Sequence, residues 1–133
     1  MMKSLAKLQP FLLSALRIAA AYVYLSHGTQ KLFAFPTSGV APAVPLASLM
    51  GAAGIIESIG GTLMLLGLFT RPVAFLISGQ MAYTYFTQHV PRGVWYFPIL
   101  NGGDLAVLFC FLWLFFCAAG PGPISVDAMR GSK

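Results

Sequence analysis

Four long apolar stretches, separated by short connections rich in proline and glycine, restrict this chain to a helical membrane protein. They cover about 11–33, 46–69, 72–88 and 99–119, and each is close to the roughly 20 residues with which a helix crosses a bilayer. Only 8% of the residues are charged and 58% are hydrophobic, whereas a soluble domain needs more charge on its surface. The bilayer core offers no hydrogen-bond partner to backbone N–H and C=O groups, so each segment must pair them within its own helix. The sequence therefore predicts an all-α, antiparallel four-helix transmembrane bundle, one domain over 1–133.

The distribution of basic residues predicts the orientation of the bundle. The N-terminal side would hold Lys3, Lys7, Arg71, Arg130 and Lys133, and the other side Lys31 and Arg92. By the positive-inside rule both termini face the cytoplasm. We interpret the first stretch as an uncleaved span, because Arg17 interrupts it. The basic residues are scattered rather than gathered into a patch, which argues against nucleic acid as a partner.

The first stretch carries a polar stripe. On a helical wheel, Arg17, Tyr24, His27 and Lys31 fall within an arc of about 80°. A charged side chain at the bilayer centre costs about 2.5–3.5 kcal/mol on insertion scales, so we expect this stripe to face the bundle interior. Lys31, taken alone, also fits an interfacial lysine that reaches the headgroups.

Polar residues of the other stretches come to compatible depths. Counting about 1.5 Å per residue from the cytoplasmic end places them from about 9 Å for Arg17 to about 25 Å for His89. The candidate pocket residues are Arg17, Tyr24, His27, Lys31, Glu57, Gln80, Tyr83, His89 and Asp104. They predict a polar pocket in the outer half of the bundle; the competing interpretation is a network that only fixes helix register. No HxxxH, ExxH or CxxC spacing occurs, so no metal site is predicted.

Glu57 lies in a glycine-rich stretch, with Gly54 and Gly61 on its own helix face. Small residues at this spacing let a neighbouring backbone come close, which predicts a central position for the second helix. A buried carboxylate either pairs with a basic residue of the first helix or becomes neutral, and the sequence leaves both alternatives open. Cys110 and Cys117 would be about 10.5 Å apart on a helix, too far for a disulfide, and are expected to serve as packing residues.

Four motifs, taken in order, resemble the DoxX family: "HGTQKLF" at 27–33, "ESIGGTLMLLGLFTRPVA" at 57–74, "NGGDLAV" at 101–107 and "GPGPISVD" at 120–127. The resemblance implies a bacterial or archaeal inner-membrane protein of four helices. The family takes its name from a small subunit of a thiosulfate:quinone oxidoreductase. Its hallmarks fall here on His27, Gly28, Lys31, Glu57, Gly60, Gly61, Arg71 and Asp104. Two features depart from the family pattern: Asp104 stands where many members have glutamate, and the segment between the first two helices is short.

We expect a redox-associated membrane subunit that binds a quinone-like ligand, with His27 and a carboxylate handling protons and a partner subunit supplying electrons. The chain has no CxxCH haem motif, no dinucleotide fingerprint and no paired redox cysteines. It is therefore not predicted to be an enzyme on its own, and a cofactor would be the bound quinone or belong to the partner.

The alternative is a non-catalytic anchor or assembly factor whose polar network is structural. The aromatic fourth stretch, "LFCFLWLFF" at 108–116, would then be a candidate docking surface. A transporter ranks last, because neither inverted repeats nor broken helices are evident. Self-association into a homo-oligomer is left open.

Overall fold

The computed structural model describes residues 2–37 and 43–131, which form seven α-helices. These are α1 (Met2–Ala6), α2 (Gln9–Phe33), α3 (Leu49–Leu66), α4 (Thr70–Thr84), α5 (Pro98–Asn101), α6 (Asp104–Ala119) and α7 (Val126–Met129). A π-helical turn at Tyr85–His89 and a 3-10 turn at Val90–Arg92 follow α4. No strand occurs in these two ranges, so the all-helical prediction is confirmed for them. The predicted connection between the first two spans falls partly on 38–42, which lie outside the described residues, as does Lys133.

Two of the predicted spans are long helices. Both α2 and α3 are long and apolar enough to cross a membrane, whereas α6 is apolar but has 16 residues. α3 begins later than predicted, because the Ser48 hydroxyl accepts a hydrogen bond from the Gly51 amide at 3.0 Å and caps the helix. It ends at Leu66, because Gly67 takes a left-handed conformation with φ of 67°.

The third and fourth predicted spans are each interrupted. Helical backbone continues beyond α4 as far as Arg92, but through the π-helical and 3-10 turns. The fourth span divides at Gly102, whose φ of 71° ends α5, so that α6 starts at Asp104. π-helical turns inside α-helices are rare and often occur at functional sites.

Glycines set the contact between α2 and α3. A side-chain carbon added to Gly28 would come within 2.6 Å of the Ser58 backbone nitrogen, and one added to Gly61 within 2.9 Å of the Leu25 Cα. These pairs run in opposite directions along the chain, so the two helices are antiparallel. The absence of a side chain at both glycines lets the two backbones approach closely.

The second contact of α3 is with α4, which in turn packs along α6. Gly60 lies against Ile77 of α4, where an added side-chain carbon would be 2.7 Å from Cγ2. α3 therefore lies between α2 and α4, as its glycines predicted. The Ser78 hydroxyl donates a hydrogen bond to the Cys110 carbonyl at 2.7 Å and ties α4 to α6. Cys110 and Cys117 are both free and half-buried.

An aromatic cluster closes the bundle between α2 and α6. The ring of Tyr24 meets those of Phe109 and Trp113 edge-on, each at 5.5 Å between centroids. Tyr24 and Trp113 are almost fully buried. The cluster holds the Tyr24 hydroxyl at a defined place near the centre of the molecule.

Candidate functional site

A cavity of about 370 Å³ lies at the end of the bundle where α2 ends, α3 begins, α4 passes into its π-helical turn and α6 begins. All four long helices line it. Its volume is within the range of about 300–1,000 Å³ that is usual for small-molecule pockets. Of the nine candidate residues, seven are on its wall: Tyr24, His27, Lys31, Glu57, Gln80, Tyr83 and His89.

Glu57 and Lys31 form an ion pair at this cavity. The Lys31 Nζ donates a hydrogen bond to the Glu57 Oε2 at 2.5 Å, with the side chains 20% and 3% exposed. Of the two alternatives left open for the buried carboxylate, the structure shows the ion pair. Lys31 is therefore held inside the molecule rather than simply reaching for the interface.

Gln80 connects the ion pair to α4 and to Tyr24. Its Oε1 accepts a hydrogen bond from the Tyr24 hydroxyl at 2.7 Å. Its Nε2 donates to the Glu57 Oε1 at 3.3 Å and to the Thr84 hydroxyl at 3.1 Å. Side chains of α2, α3 and α4 thus share one hydrogen-bond network, which holds the Glu57 carboxylate on two sides.

His27 lines the cavity without belonging to this network. No residue within 2–37 or 43–131 hydrogen-bonds its ring, although the charges of Lys31 and Glu57 are close enough to act on it. The side chain is half-buried. Both ring nitrogens are therefore available to a ligand in the cavity, as donor or acceptor.

The π-helical turn brings His89 and Arg92 to the cavity. His89 stacks on Tyr85, with 6.3 Å between ring centroids, and its Nδ1 is 3.3 Å from the Asn101 carbonyl oxygen. Asn101 also donates to the Tyr85 hydroxyl, which fixes this corner. Arg92 lines the cavity as an exposed cation.

The remaining wall is mostly apolar, with Thr84, Thr87 and Gln88 as its polar residues. It is formed mainly by side chains of α3 and α6 with Met81 of α4: Leu49, Met50, Ala52, Ala53, Ile56, Met81, Leu105, Ala106 and Phe109. The cavity thus combines one hydrogen-bonding region with a larger apolar surface. That combination suits a ligand with a polar head and an apolar body.

Arg17 does not belong to the cavity, and this corrects its grouping with the other eight candidates. It is 1% exposed, and its guanidinium donates to three backbone carbonyls, those of Met64, Pro121 and Ile124. Its five donors suit this fork-like arrangement. Arg17 therefore fastens the segment after α6 to α2 and α3, at the opposite end from the cavity.

Asp104 is also placed outside the cavity. It is exposed in the first turn of α6, where a carboxylate interacts favourably with the positive end of the helix dipole. The sequence predicts similar depths for Asp104 and Glu57, but depth along a helix does not determine the direction in which a side chain points. Glu57 is therefore the carboxylate of this cavity within the described part of the chain.

Two residues with a defined place in the structure were given no site role from the sequence. Arg92 was used only to predict orientation, although it follows the third span directly. Asp127 was quoted within the "GPGPISVD" motif but given no role. Its carboxylate accepts hydrogen bonds from the amides of Phe69 and Thr70, each at 2.9 Å, and so caps the start of α4.

The environment of Asp127 lowers its pKa. Burial raises the pKa of this carboxyl, but hydrogen bonds from Thr70 and Phe69 and the charge of Arg130 outweigh that effect. The pKa of Asp127 therefore lies below its usual value, and the side chain stays ionised where it caps the helix.

Within residues 2–37 and 43–131, no three His, Cys, Asp or Glu side chains are grouped so as to hold a metal ion. The side chains of the cavity themselves offer donors, acceptors and proton-exchanging groups. Lys31 uses one of its three ammonium hydrogens on Glu57, so Lys31 and His27 can donate to a carbonyl oxygen, and His27 and Glu57 are groups that can exchange a proton with it.

Comparison with known proteins agrees with the motifs. The chain matches the model of the DoxX family over residues 12–90. A protein of Haemophilus influenzae, named as uncharacterized, is 46% identical over 129 residues, which cover 95% of this chain and 96% of the relative. No solved structure matches the chain. The resemblance seen in the motifs is thus confirmed, and the chain belongs to the membrane-associated DoxX family.

Proposed function

We propose that the chain crosses the bacterial inner membrane four times as an antiparallel bundle, with both termini in the cytoplasm. Large apolar side chains are exposed on the outer faces of all four long helices, as at Leu12, Ile59, Phe75 and Phe111. Such surface is expected where the solvent is lipid. The helical segments 70–92 and 98–119 supply the length that α4 and α6 alone lack, since about 20 helical residues cross the hydrocarbon core.

Within this bundle, the cavity would bind a quinone-like ligand as part of a redox system. The observation that carries this proposal is the Lys31–Glu57–Gln80 network at one side of a cavity whose α3 and α6 walls are largely apolar. A quinone ring has two carbonyl oxygens that accept hydrogen bonds and two flat apolar faces. Lys31 and His27 would donate to an oxygen, and Phe109 and Met81 offer apolar surface to the ring.

A bound quinone would supply the two-electron, two-proton chemistry that the chain itself lacks. The residues of the cavity would bind and orient it, and the apolar wall would keep water from the ring. His27 and Glu57 would hold or pass a proton at the ring oxygens, since both lie on the cavity wall. Electrons would come from a partner subunit.

The ion pair itself favours a second function. Because Glu57 already has a cation and an amide as partners, the network could serve only to hold α2, α3 and α4 together. The chain would then be a non-catalytic membrane anchor or assembly factor. In that case, loss of the network would reduce stability and leave no ligand-dependent change to measure.

Quinone binding tests the first function against the second. Protein in lipid nanodiscs would be titrated with decylubiquinone and examined by native mass spectrometry, comparing wild type with Glu57→Gln, His27→Ala and Asp104→Asn. Asp104→Asn is the matched control, because it removes a carboxylate outside the cavity. His27→Ala is included because His27 has no hydrogen bond within the described residues to lose.

We expect saturable binding to wild type and to Asp104→Asn, and at least about tenfold weaker binding to Glu57→Gln and His27→Ala, equivalent to about 1.4 kcal/mol. Absence of bound quinone at saturating decylubiquinone, or equal binding by all four proteins, would contradict the proposal. Lower melting temperatures for Glu57→Gln, without any quinone binding by wild type, would favour the anchor.

A further inference from the structure

The hairpin of α3 and α4 is closed at one end and open at the other. Its turn lies at 67–69, and the helices still touch at Gly60 and Ile77, about two turns further on. Beyond that contact, Gln80 of α4 still donates a hydrogen bond to Glu57 of α3. Other residues of the two helices line the cavity: Ala53 and Ile56 of α3, and Tyr83 of α4.

Residues on both edges of this gap are exposed as well as lining the cavity. Leu49 is 52% exposed, Ile56 43% and Tyr83 55%. A side chain that lines a cavity and also lies at the outer surface marks an opening. We name the gap bordered by Leu49, Ala53, Ile56, Tyr83 and Thr87 the side slot.

Two other helix boundaries at this level are closed. α2 and α3 meet through Gly28 and Ser58 with no space for a side-chain carbon. α6 is held against α4 where Tyr85 packs on Gly103, at which an added side-chain carbon would be 2.6 Å from the ring. The side slot is therefore a gap between long helices through which the cavity reaches the flank of the bundle.

The chemistry of the side slot differs from that of the cavity end. Its α3 edge is aliphatic. On the other edge, the Thr87 hydroxyl donates to the Tyr83 carbonyl at 2.8 Å and so has its hydrogen bond satisfied within its own helix. The charged Arg92 and the exposed Gly102 instead border the cavity at the end of the bundle. An apolar part of a ligand would therefore extend out of the cavity through the side slot, and a polar part would extend out at the end of the bundle.

We propose that the ligand of this cavity is an amphiphile with a long acyl or prenyl chain, which enters sideways from the bilayer and leaves its chain in the side slot. The polar head then lies at Lys31 and Glu57. This inference rests on the membrane placement and the cavity proposed above, and it adds the route of entry and the need for a chain. A short, water-soluble ligand has no apolar chain that could occupy a slot opening toward lipid.

A chain-borne photoprobe tests the slot without requiring quinone binding. Protein in liposomes would be irradiated with hexadecanol that carries a mid-chain diazirine, and labelled residues would be mapped by mass spectrometry. Met81 is 6% exposed and lines the cavity, so it reports chain entry, whereas Leu76 is 68% exposed on the same helix and reports ordinary lipid contact. Unlabelled hexadecanol would be added as competitor.

Three variants separate entry through the slot from other routes. Ala53→Trp fills the slot, Tyr83→Ala widens it, and Ala19→Trp is the matched control, since Ala19 is exposed on α2 and does not line the cavity. We expect labelling of Met81 to fall at least about fivefold in Ala53→Trp and to rise in Tyr83→Ala, with Leu76 unchanged in every protein.

Labelling of Leu76 without Met81 in wild type, or the same Met81 labelling in Ala53→Trp as in Ala19→Trp, would overturn the inference. The decylubiquinone titration is independent of this result. Chain entry without quinone binding would refute the quinone assignment and support the slot, whereas quinone binding with unlabelled Met81 would do the reverse.

Discussion

Replacement of Arg17 by methionine would remove the clamp that holds the segment after α6. The side chain is 1% exposed, and two of its three donor contacts are at 2.8 Å to the Met64 carbonyl and 2.7 Å to the Ile124 carbonyl. Methionine keeps an unbranched apolar stem but has no donor. At about 1.5 kcal/mol for each hydrogen bond to a charged donor, the three contacts are worth about 4–5 kcal/mol.

Part of that loss is offset, because the variant no longer buries a charge. Allowing about 1–2 kcal/mol for this desolvation leaves an expected decrease of about 3 kcal/mol in the free energy of unfolding. The measurement is reversible unfolding in bicelles by steric trapping. Lys7→Met serves as the control, since Lys7 is exposed and loses the same charge. Hydrogen exchange should also accelerate at the amides of 120–129.

A decrease below about 1 kcal/mol, or one equal to that of Lys7→Met, would refute the reasoning, since it would mean that the three contacts contribute no more than surface hydrogen bonds do. The cavity provides a second check. Arg17 does not line it, so folded Arg17→Met should bind decylubiquinone as wild type does. Loss of binding in the folded variant would mean that Arg17 contributes to the pocket, as the sequence predicted.

Lys31→Met should lower the free energy of unfolding by about 3 kcal/mol because it strands a buried carboxylate, and adding Glu57→Gln should recover at least about 1 kcal/mol of that in a double-mutant cycle; additive losses would refute the pairing. Gly28→Ala should destabilise by about 1–3 kcal/mol, since the new carbon meets backbone. Gly79→Ala, with nothing within 4 Å, should instead stabilise by about 0.5–1 kcal/mol. Because the folded pKa of Asp127 is lowered, its stabilisation is complete above its unfolded pKa and lost as the pH falls through the folded value. The melting temperature should therefore drop below about pH 4 in wild type but not in Asp127→Asn.

The helical segments and their glycines could be predicted from the sequence because both follow from local rules. Apolar length shows where helices form, and the spacing of Gly54 and Gly61 marks a face that a neighbour can approach. The polar stripe of α2 was likewise visible, and three of its four residues do line the cavity. These features need only the helical period and the cost of polar groups in an apolar environment.

The limits of such prediction are seen at Arg17 and Asp104. The candidates were grouped by their depth along a helix, but depth alone does not give direction or partner. The true partners of Arg17 include carbonyls 104 and 107 residues away, in a segment with no periodic pattern to place it. The sequence pattern did not indicate the π-helical turn at Tyr85–His89 either. A π-helical turn differs from an α-helix only in that each hydrogen bond spans five residues instead of four.

The sequence by itself thus determined that the chain is helical, that it is suited to lipid, and that several of its ionisable groups must turn inward, since composition and periodicity follow directly from residue type. Only the tertiary structure decided that Glu57 pairs with Lys31, that Arg17 clamps backbone at the far end, and that α3 and α4 part to leave a slot. Those choices depend on which side chains meet across helices that are distant in sequence, and no local rule contains that information.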